Sequence, residues 1–432
     1  MRLSSIGTRI RALVLVIVLL VPLGGCVLQT QSTGPTVLRI AYRPLVADLK
    51  PLIAAFEREN PGITVEIFEA TPTNFPSLSA ELQAGKIDIL RDYRSTMATL
   101  VRTGAFQPLD GMLESGDWGK VRQDYFKGSW EGLQVDGKQF AVPAGLDVYV
   151  AYANLDAFAA AGVQPPKADW TVDDLLMLAD QVNAPEGTPG ETKGVVYGFG
   201  TYYLSADPII FTYLHGGGIV DDFDKPTRAL IDNPKTIEAT SWYANLILKY
   251  KVSPKAGIVS AYFRSGGITT AENQGYCAMW FSTYSARGGP DTGKWQFKWQ
   301  MLPLPRDAQS MSVGDVDGYY IPANSQHQQE ALKLIRYLSD QWQGSGVRFP
   351  VRKSLATNPR YQQLVGAEIA RIGALAADNL VVMPQFYGRG GGGQIFQDYF
   401  SALFQILETG ADPQMQMEDA QKKADARLLQ TQ

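Results

Sequence analysis

Hydrophobic positions along the chain alternate between a period of two and a helical period, which predicts a mixed α/β fold. The first elements are a buried strand at 37–42, a helix reaching Phe56, and a strand at 63–67 whose apolar residues alternate with polar ones. A strand, a helix and a strand at this spacing form a βαβ unit, so the two strands are expected to be parallel. A helix at 77–84 and a strand at 87–90 follow. Together these elements predict one α/β lobe.

The rest of the chain continues the same mixture. A strand-like run at 140–152 has a Pro–Gly interruption in its middle. Thr171-x-x-Asp174 is typical of a capping box and predicts a helix over 172–182. Further helices are predicted at 235–250, 326–342, 394–408 and 413–429, and further strands near 296–302 and 319–321. The pattern therefore predicts a second α/β segment after the first.

The N-terminal residues have the composition of an export signal. Three Arg and no acid precede the apolar run 12–23, and small residues lead to Cys26. This run is shorter than the roughly 20 residues that span a bilayer, so residues 1–25 are predicted to be a signal peptide. Leu23-Gly24-Gly25-Cys26 is similar to a bacterial lipobox. Acylation of Cys26, detectable as bound palmitate, would make residues 26–36 a lipidated tether and anchor the protein to the cell membrane, outside the cytoplasm.

The composition of the chain excludes several classes of function. Of 432 residues, 39 are basic and 43 acidic, so the net charge of −4 gives no reason to expect nucleic-acid binding. Two Cys and two His exclude a disulfide framework and a paired-ligand zinc module. No Gly–Lys pair is followed by Ser or Thr, which excludes a phosphate-binding P-loop. We expect neither a metal nor a cofactor.

Two features point to a small polar ligand. Asp315 and Asp317 are two positions apart on an extended chain, so they face the same side. Such a pair is typical either of a glycosidase or of polar contacts to a ligand, and both interpretations stay open. Several aromatic residues also lie in loops or at strand ends, where their faces stack on sugar rings. The glycine-rich stretch 388–393 is interpreted as a backbone loop near a ligand or as a plain loop.

Five segments, in order along the chain, resemble motifs of one known family. They are Phe56–Glu66 (FERENPGITVE), Gly85–Ile89 (GKIDI), Gly104–Asp110 (GAFQPLD), Tyr152–Phe158 (YANLDAF) and Asp169–Leu175 (DWTVDDL). By these motifs the chain resembles the extracellular solute-binding proteins of family 1, the sugar-type binding lipoproteins of ABC importers. The resemblance covers nearly the whole chain after the signal.

The resemblance implies a two-lobed α/β fold of the periplasmic-binding-protein type II class, in which each lobe has a mainly parallel sheet flanked by helices. Several crossovers would form the hinge between the lobes. The N-terminal lobe would comprise residues 37–145 and 305–348, and the C-terminal lobe 146–304 and 349–432. Ligand would lie in the cleft between them and be clamped by lobe closure.

The resemblance further implies a monomer that binds a carbohydrate, passes it to ABC permease subunits and catalyses nothing. Two alternatives stay open. One is a secreted carbohydrate-active enzyme that uses the carboxylate pair, and the other is a solute sensor that is not coupled to transport.

Candidate ligand-binding residues also follow from the resemblance. They are Asp92, Tyr93 and Arg94 in the first lobe, Asp147 and Tyr149 at the crossover, Tyr203 and Trp280 in the second lobe, and Asp315, Asp317 and Arg389. Trp280 has two interpretations: it stacks on a sugar at the cleft wall, or it is a buried core residue.

Overall fold

A computed structural model describes residues 35–43, 48–70, 75–184, 197–223, 225–263, 267–288, 295–342, 347–382 and 391–431. The predicted signal peptide, Cys26 and Arg389 lie outside the described residues. Within the described part, no helix combines the length and the apolar composition that crossing a membrane requires.

The strands of the described residues form one large sheet and one small hairpin. Their bounds are β1 (Thr36–Tyr42), β2 (Ile63–Glu69), β3 (Ile89–Tyr93), β4 (Gln134–Val135), β5 (Lys138–Gln139), β6 (Ala141–Asn154), β7 (Tyr197–Gly200), β8 (Cys277–Thr283), β9 (Trp299–Leu302), β10 (Ser312–Tyr320) and β11 (Leu380–Val382). The large sheet has the order β2-β1-β3-β10-β6-β8-β7, with β11 paired to β10 and β9 paired to β6. Strands β4 and β5 pair only with each other.

Helices flank this sheet. Their bounds are α1 (Lys50–Glu59), α2 (Phe75–Gln83), α3 (Arg94–Arg102), α4 (Asp110–Leu113), α5 (Trp118–Asp124), α6 (Lys127–Glu131), α7 (Leu155–Ala161), α8 (Val172–Val182), α9 (Asp207–Leu214), α10 (Pro234–Leu248), α11 (Ala256–Phe263), α12 (Gly267–Asn273), α13 (Gln328–Ser339), α14 (Lys353–Ala356), α15 (Pro359–Val365), α16 (Ala367–Asp378), α17 (Gly391–Thr409) and α18 (Pro413–Thr431).

Most predicted elements are confirmed within a few residues. Strand β1 pairs in parallel with β2 and β3, as the βαβ pattern predicts. Helix α8 begins with the predicted capping box, in which the Thr171 hydroxyl accepts from the Asp174 backbone N–H and the Asp174 carboxylate accepts from the Thr171 N–H. The long C-terminal helices α17 and α18 pack against each other. The sequence therefore locates the regular elements well.

Strand β6 differs from its prediction, because the Pro–Gly interruption does not end it. Its first half pairs with β10 and its second half with β8 and β9, so one continuous strand passes from one half of the sheet to the other. The register with β10 shifts between Pro143 and Gly145, which leaves Ala144 unpaired as a β-bulge. A Cβ on Gly145 would lie 2.9 Å from Asp317 Oδ1, so only glycine fits this position without rearrangement.

Two hydrophobic clusters support the two halves of the sheet. One surrounds β1, β3 and the start of β6, with Leu38, Ile40 and Ile89 fully buried. The other lies among α8, α9, α10, α17 and α18, with Leu175 and Ile209 fully buried. The crossing strand β6 contributes residues to both clusters. The predicted lobe boundaries, at 145, 304 and 348, stay a prediction.

Candidate functional site

The carboxyl ends of the parallel strands from both halves of the sheet meet at the middle of β6. Tyr93 ends β3 and lies opposite Asp317 of β10, which in turn lies opposite Gly145 of β6. Thr283 ends β8 and lies opposite Tyr149 of β6. Strand β1 runs parallel to β3, and β7 parallel to β8. Since ligands of open α/β sheets bind beyond the carboxyl ends of strands, this meeting point is the candidate site.

Charged side chains gather at this point, and we call them the hinge cluster. The hinge cluster consists of Arg43, Arg91, Asp92, Tyr93, Asp147, Asp317 and Arg348. Four of these residues were predicted from the sequence: Asp92, Tyr93, Asp147 and Asp317. The three guanidinium groups balance the three carboxylates, so the cluster carries little net charge.

Arg91 and Asp317 form the most deeply buried pair of the hinge cluster. Both Nε and Nη2 of Arg91 lie 2.6 Å from Asp317 Oδ2, and the two side chains are 0% and 2% exposed. The Arg91 guanidinium also lies 5.4 Å from the centre of the Tyr319 ring. Buried charges need such partners, because an unpaired charge in the interior is very costly. This pair therefore fixes β3 to β10 directly beside the candidate site.

Arg348 connects three separate segments of the chain. Its guanidinium forms an ion pair with Asp147 on β6 and donates a hydrogen bond to the hydroxyl of Tyr93 on β3. Burial lowers the pKa of Arg348 to about 10. Asp147 also accepts from the backbone N–H of Ser285 at 2.9 Å and from its hydroxyl at 2.8 Å. Because Ser285 follows β8, these bonds join both halves of the sheet to the crossing strand.

Tyr93 is the aromatic residue of the hinge cluster, and its side chain is half-buried. The guanidinium carbons of Arg43 and Arg348 lie 5.4 and 4.7 Å from its ring centre. Arg43 Nη2 also lies 3.2 Å from Asp92 Oδ2, and 37% of the Arg43 side chain is exposed. Burial raises the pKa of the Asp92 carboxyl, against the opposing charge of Arg43. The arrangement thus places two guanidinium groups, both hydrogen-bond donors, over the ring of a half-buried tyrosine.

Other predicted residues lie outside the hinge cluster. Arg94 begins α3 and donates through Nε to the Gly132 carbonyl at 2.8 Å. Tyr203 packs against Tyr202 and Phe404, with ring centres 4.8 and 5.2 Å away. Both Arg94 and Tyr203 therefore have packing or hydrogen-bonding roles within their own half of the sheet.

Tyr149 and Asp315 lie on β6 and β10, the strands that also carry Asp147 and Asp317 of the cluster. Tyr149 is half-buried beside the second hydrophobic cluster. Asp315 lies directly opposite Asp147 across the β10–β6 pair. The strand geometry places Asp315 and Asp317 on one face, as their spacing predicts.

The structure requires a correction for Trp280, which does not lie at the site. Its side chain is fully buried in β8. The ring stacks on its cross-strand partner Tyr152 at 5.6 Å and meets Trp295 and Phe297 edge-on. Since no face of the indole is accessible, a ligand does not reach it. The core interpretation of Trp280 is the one that fits this geometry.

Sequence reasoning did not find the arginines of the hinge cluster or Ser285. Arg43 and Arg348 belong to no recognisable motif. Arg91 is the exception, because it directly follows the predicted strand Ile87–Leu90 and precedes Asp92. A charge at the end of a buried strand requires a buried partner, and that requirement alone makes Arg91 a candidate.

Comparison with known proteins identifies the family. Residues 51–368 match the sequence family described as bacterial extracellular solute-binding protein. The chain belongs to this family. The resemblance seen in the sequence motifs is therefore confirmed at the level of the family.

Solved structures with the same fold include several solute-binding proteins. One is the ABC substrate-binding protein Lmo0181 from Listeria monocytogenes in complex with cycloalternan, with a TM-score of 0.71, 18% identity, and coverage of 91% of this chain and 98% of that one. Another is the sugar-binding protein MalE from Xanthomonas citri, with a TM-score of 0.72, 18% identity and coverage of 92% and 98%. A third is UgpB from Mycobacterium tuberculosis in complex with glycerophosphocholine, with a TM-score of 0.69, 18% identity and coverage of 92% and 99%. These likenesses confirm the predicted two-lobed α/β fold.

Proposed function

We propose that this protein is a monomeric receptor that binds a sugar or oligosaccharide between its two lobes and delivers it to an ABC importer. The observation that carries the proposal is the convergence of both sets of strand ends on the hinge cluster. A half-buried aromatic ring close to guanidinium and carboxylate groups suits a carbohydrate, because a sugar combines an apolar face with hydroxyl groups that donate and accept hydrogen bonds. The cycloalternan and sugar-binding relatives support this ligand class.

Lobe closure would act on the bonds of Arg348. Three segments pass between the proposed lobes: β6 near Gly145, the chain after Leu304, and the chain near Phe349. Phe349 and Leu146 exchange two backbone hydrogen bonds, of 2.9 and 2.8 Å, which ties two of these crossings together. The bonds of Arg348 to Tyr93 and Asp147 lie beside these crossings, so a hinge rotation would change the geometry of these bonds.

The hinge cluster favours binding over hydrolysis. In the candidate pair Asp315 and Asp317, the Asp317 carboxylate is held by Arg91. Asp147, opposite Asp315, accepts from Arg348 and Ser285. The carboxylates of Asp317 and Asp147 are thus already engaged as acceptors. A glycosidase needs one carboxyl group that donates a proton and another that attacks or activates water. We therefore propose that the protein releases its ligand unchanged to permease subunits.

Replacing Tyr93 tests the proposed site. Calorimetry with a broad panel of sugars should find one that binds wild-type protein with a stoichiometry of one. Tyr93→Ala should then weaken binding by roughly ten- to a hundredfold, because a central aromatic contact is lost. Tyr250→Ala, which removes a half-buried tyrosine outside the hinge cluster, should leave the affinity unchanged. X-ray scattering should show a smaller radius of gyration for the wild-type complex.

Four results would contradict the proposal. No binding across the panel would exclude a carbohydrate ligand. Product formation during incubation would favour the alternative that the protein is a carbohydrate-active enzyme. Equal affinities of Tyr93→Ala and wild type would place the ligand elsewhere. Unimpaired uptake of the bound sugar by cells that lack the protein would favour the alternative that the protein is a solute sensor not coupled to transport.

We also propose that the mature protein is a lipoprotein with an acyl anchor on Cys26. In cells fed labelled palmitate, the wild-type protein should carry the label and sediment with membranes, whereas Cys26→Ser should carry none. Cys277→Ala is the matched control, because Cys277 is the second cysteine of the chain and is buried in β8. An unlabelled wild-type protein released into the medium would contradict the proposed acyl anchor on Cys26.

A further inference from the structure

A cavity lies on the C-terminal half of the molecule, and it shares no residue with the hinge cluster. It has a volume of about 330 Å³. Its walls come from the start of α8, the end of α9, the middle of α10 and the segment that joins β9 to β10. This volume falls at the lower end of the range of roughly 300–1,000 Å³ for small-molecule sites.

The floor of this cavity is aromatic. Phe211 and Trp242 both line it, with ring centres 4.9 Å apart. Phe211 is buried, whereas Trp242 is only half-buried. Trp242 therefore has exposed ring surface that can contact a ligand, and Phe211 packs against it.

The rim of the cavity is polar and held in place. Asp173, Arg306 and Asp307 line it and are exposed. His215 has both ring nitrogens engaged, with Nδ1 2.8 Å from Asp307 Oδ2 and Nε2 3.1 Å from Glu238 Oε2. Its orientation is thus fixed.

The backbone of the rim is also held. Val172 N–H donates to the Arg306 carbonyl at 3.0 Å, and Arg306 N–H donates to the Trp170 carbonyl at 3.0 Å. The Arg306 guanidinium donates to the Asp169 carbonyl at 2.7 Å. The segment that joins β9 to β10 is therefore attached to the start of α8, and the cavity is formed before any ligand arrives.

We infer that this cavity is a second binding site, and that it takes a neutral saccharide of one or two rings. A partly exposed indole surface suits the apolar face of a pyranose, while the carboxylate and guanidinium groups at the rim suit its hydroxyl groups. The rim has both signs of charge, so it offers no strong attraction to a purely anionic or cationic ligand. The site does not depend on what the hinge cluster binds.

Titration of ¹⁵N-labelled protein with maltose tests the inference, with the indole N–H signal of Trp242 as the readout. Trp242→Phe identifies the signal by its disappearance. In the wild type, this signal should shift in a saturable manner with weak, millimolar affinity. Asp173→Asn and Arg306→Gln should each weaken that binding about threefold to tenfold, because each removes a polar contact at the rim. Asp180→Asn, an exposed change on the same helix outside the cavity, should have no effect.

The Tyr93→Ala background separates the two sites. There the Trp242 signal should still shift with maltose even if binding at the hinge cluster is lost. If the shift disappears in that background, it was transmitted from the hinge, and the second site is wrong. No shift up to the solubility limit of maltose, or equal affinities of the Asp173, Arg306 and Asp180 variants, would also overturn the inference. None of these results depends on whether the proposed transport function holds.

Discussion

Asp317→Ala should lower the free energy of unfolding by about 3–5 kcal/mol, because it leaves the Arg91 guanidinium buried without its counter-charge. Arg91 is fully buried, and its Nε and Nη2 atoms both contact Asp317 at 2.6 Å. The pair lies between β3 and β10, where Tyr93 is opposite Asp317. Loss of the pair should therefore destabilise the N-terminal half of the sheet next to the candidate site.

Chemical denaturation measures this loss, and two further variants identify its cause. Asp315→Ala removes a half-buried carboxylate from the same face of β10 and should cost at most about 1 kcal/mol. The double variant Arg91→Met with Asp317→Leu should recover most of the loss, because apolar side chains often replace a buried ion pair without cost. A double variant as unstable as Asp317→Ala would show that the unpaired charge is not the cause.

The order of elements was predictable because local periodicity reports which face of each element is buried. Strand β10 is an element that local periodicity does not predict in full. Only its end, near Tyr319, was predicted, since the preceding Ser312–Gly318 is rich in glycine and aspartate. Those residues are tolerated because β10 lies between β3 and β6 and pairs Asp317 with Arg91. A buried polar strand is explained by its neighbours, which the local pattern does not contain.

The site was predictable only in part, because the contacts between its residues join segments that are distant in the sequence. Asp92 and Asp147 follow or interrupt strands, so their positions on the chain indicate the sheet edge where ligands bind. Arg348 is 255 residues from Tyr93, and no local pattern connects them. The family resemblance gave the segments that form the site, but the register of β3, β10 and β6 decides which side chains meet there.

Trp280 is a residue that the sequence placed at the cleft and that the structure places in the core. Trp280→Ala should lower the free energy of unfolding by about 3–5 kcal/mol, because it leaves a cavity among Tyr152, Trp295 and Phe297. The folded fraction should bind ligand with unchanged affinity. Trp280→Phe should cost less, since a ring still fills the space and the indole N–H, which has no hydrogen-bond partner within the described part of the chain, is removed. Denaturation and calorimetry on the same samples distinguish the two interpretations of Trp280. A stable Trp280→Ala protein that has lost its affinity for ligand would contradict the core interpretation and show that Trp280 contacts the ligand.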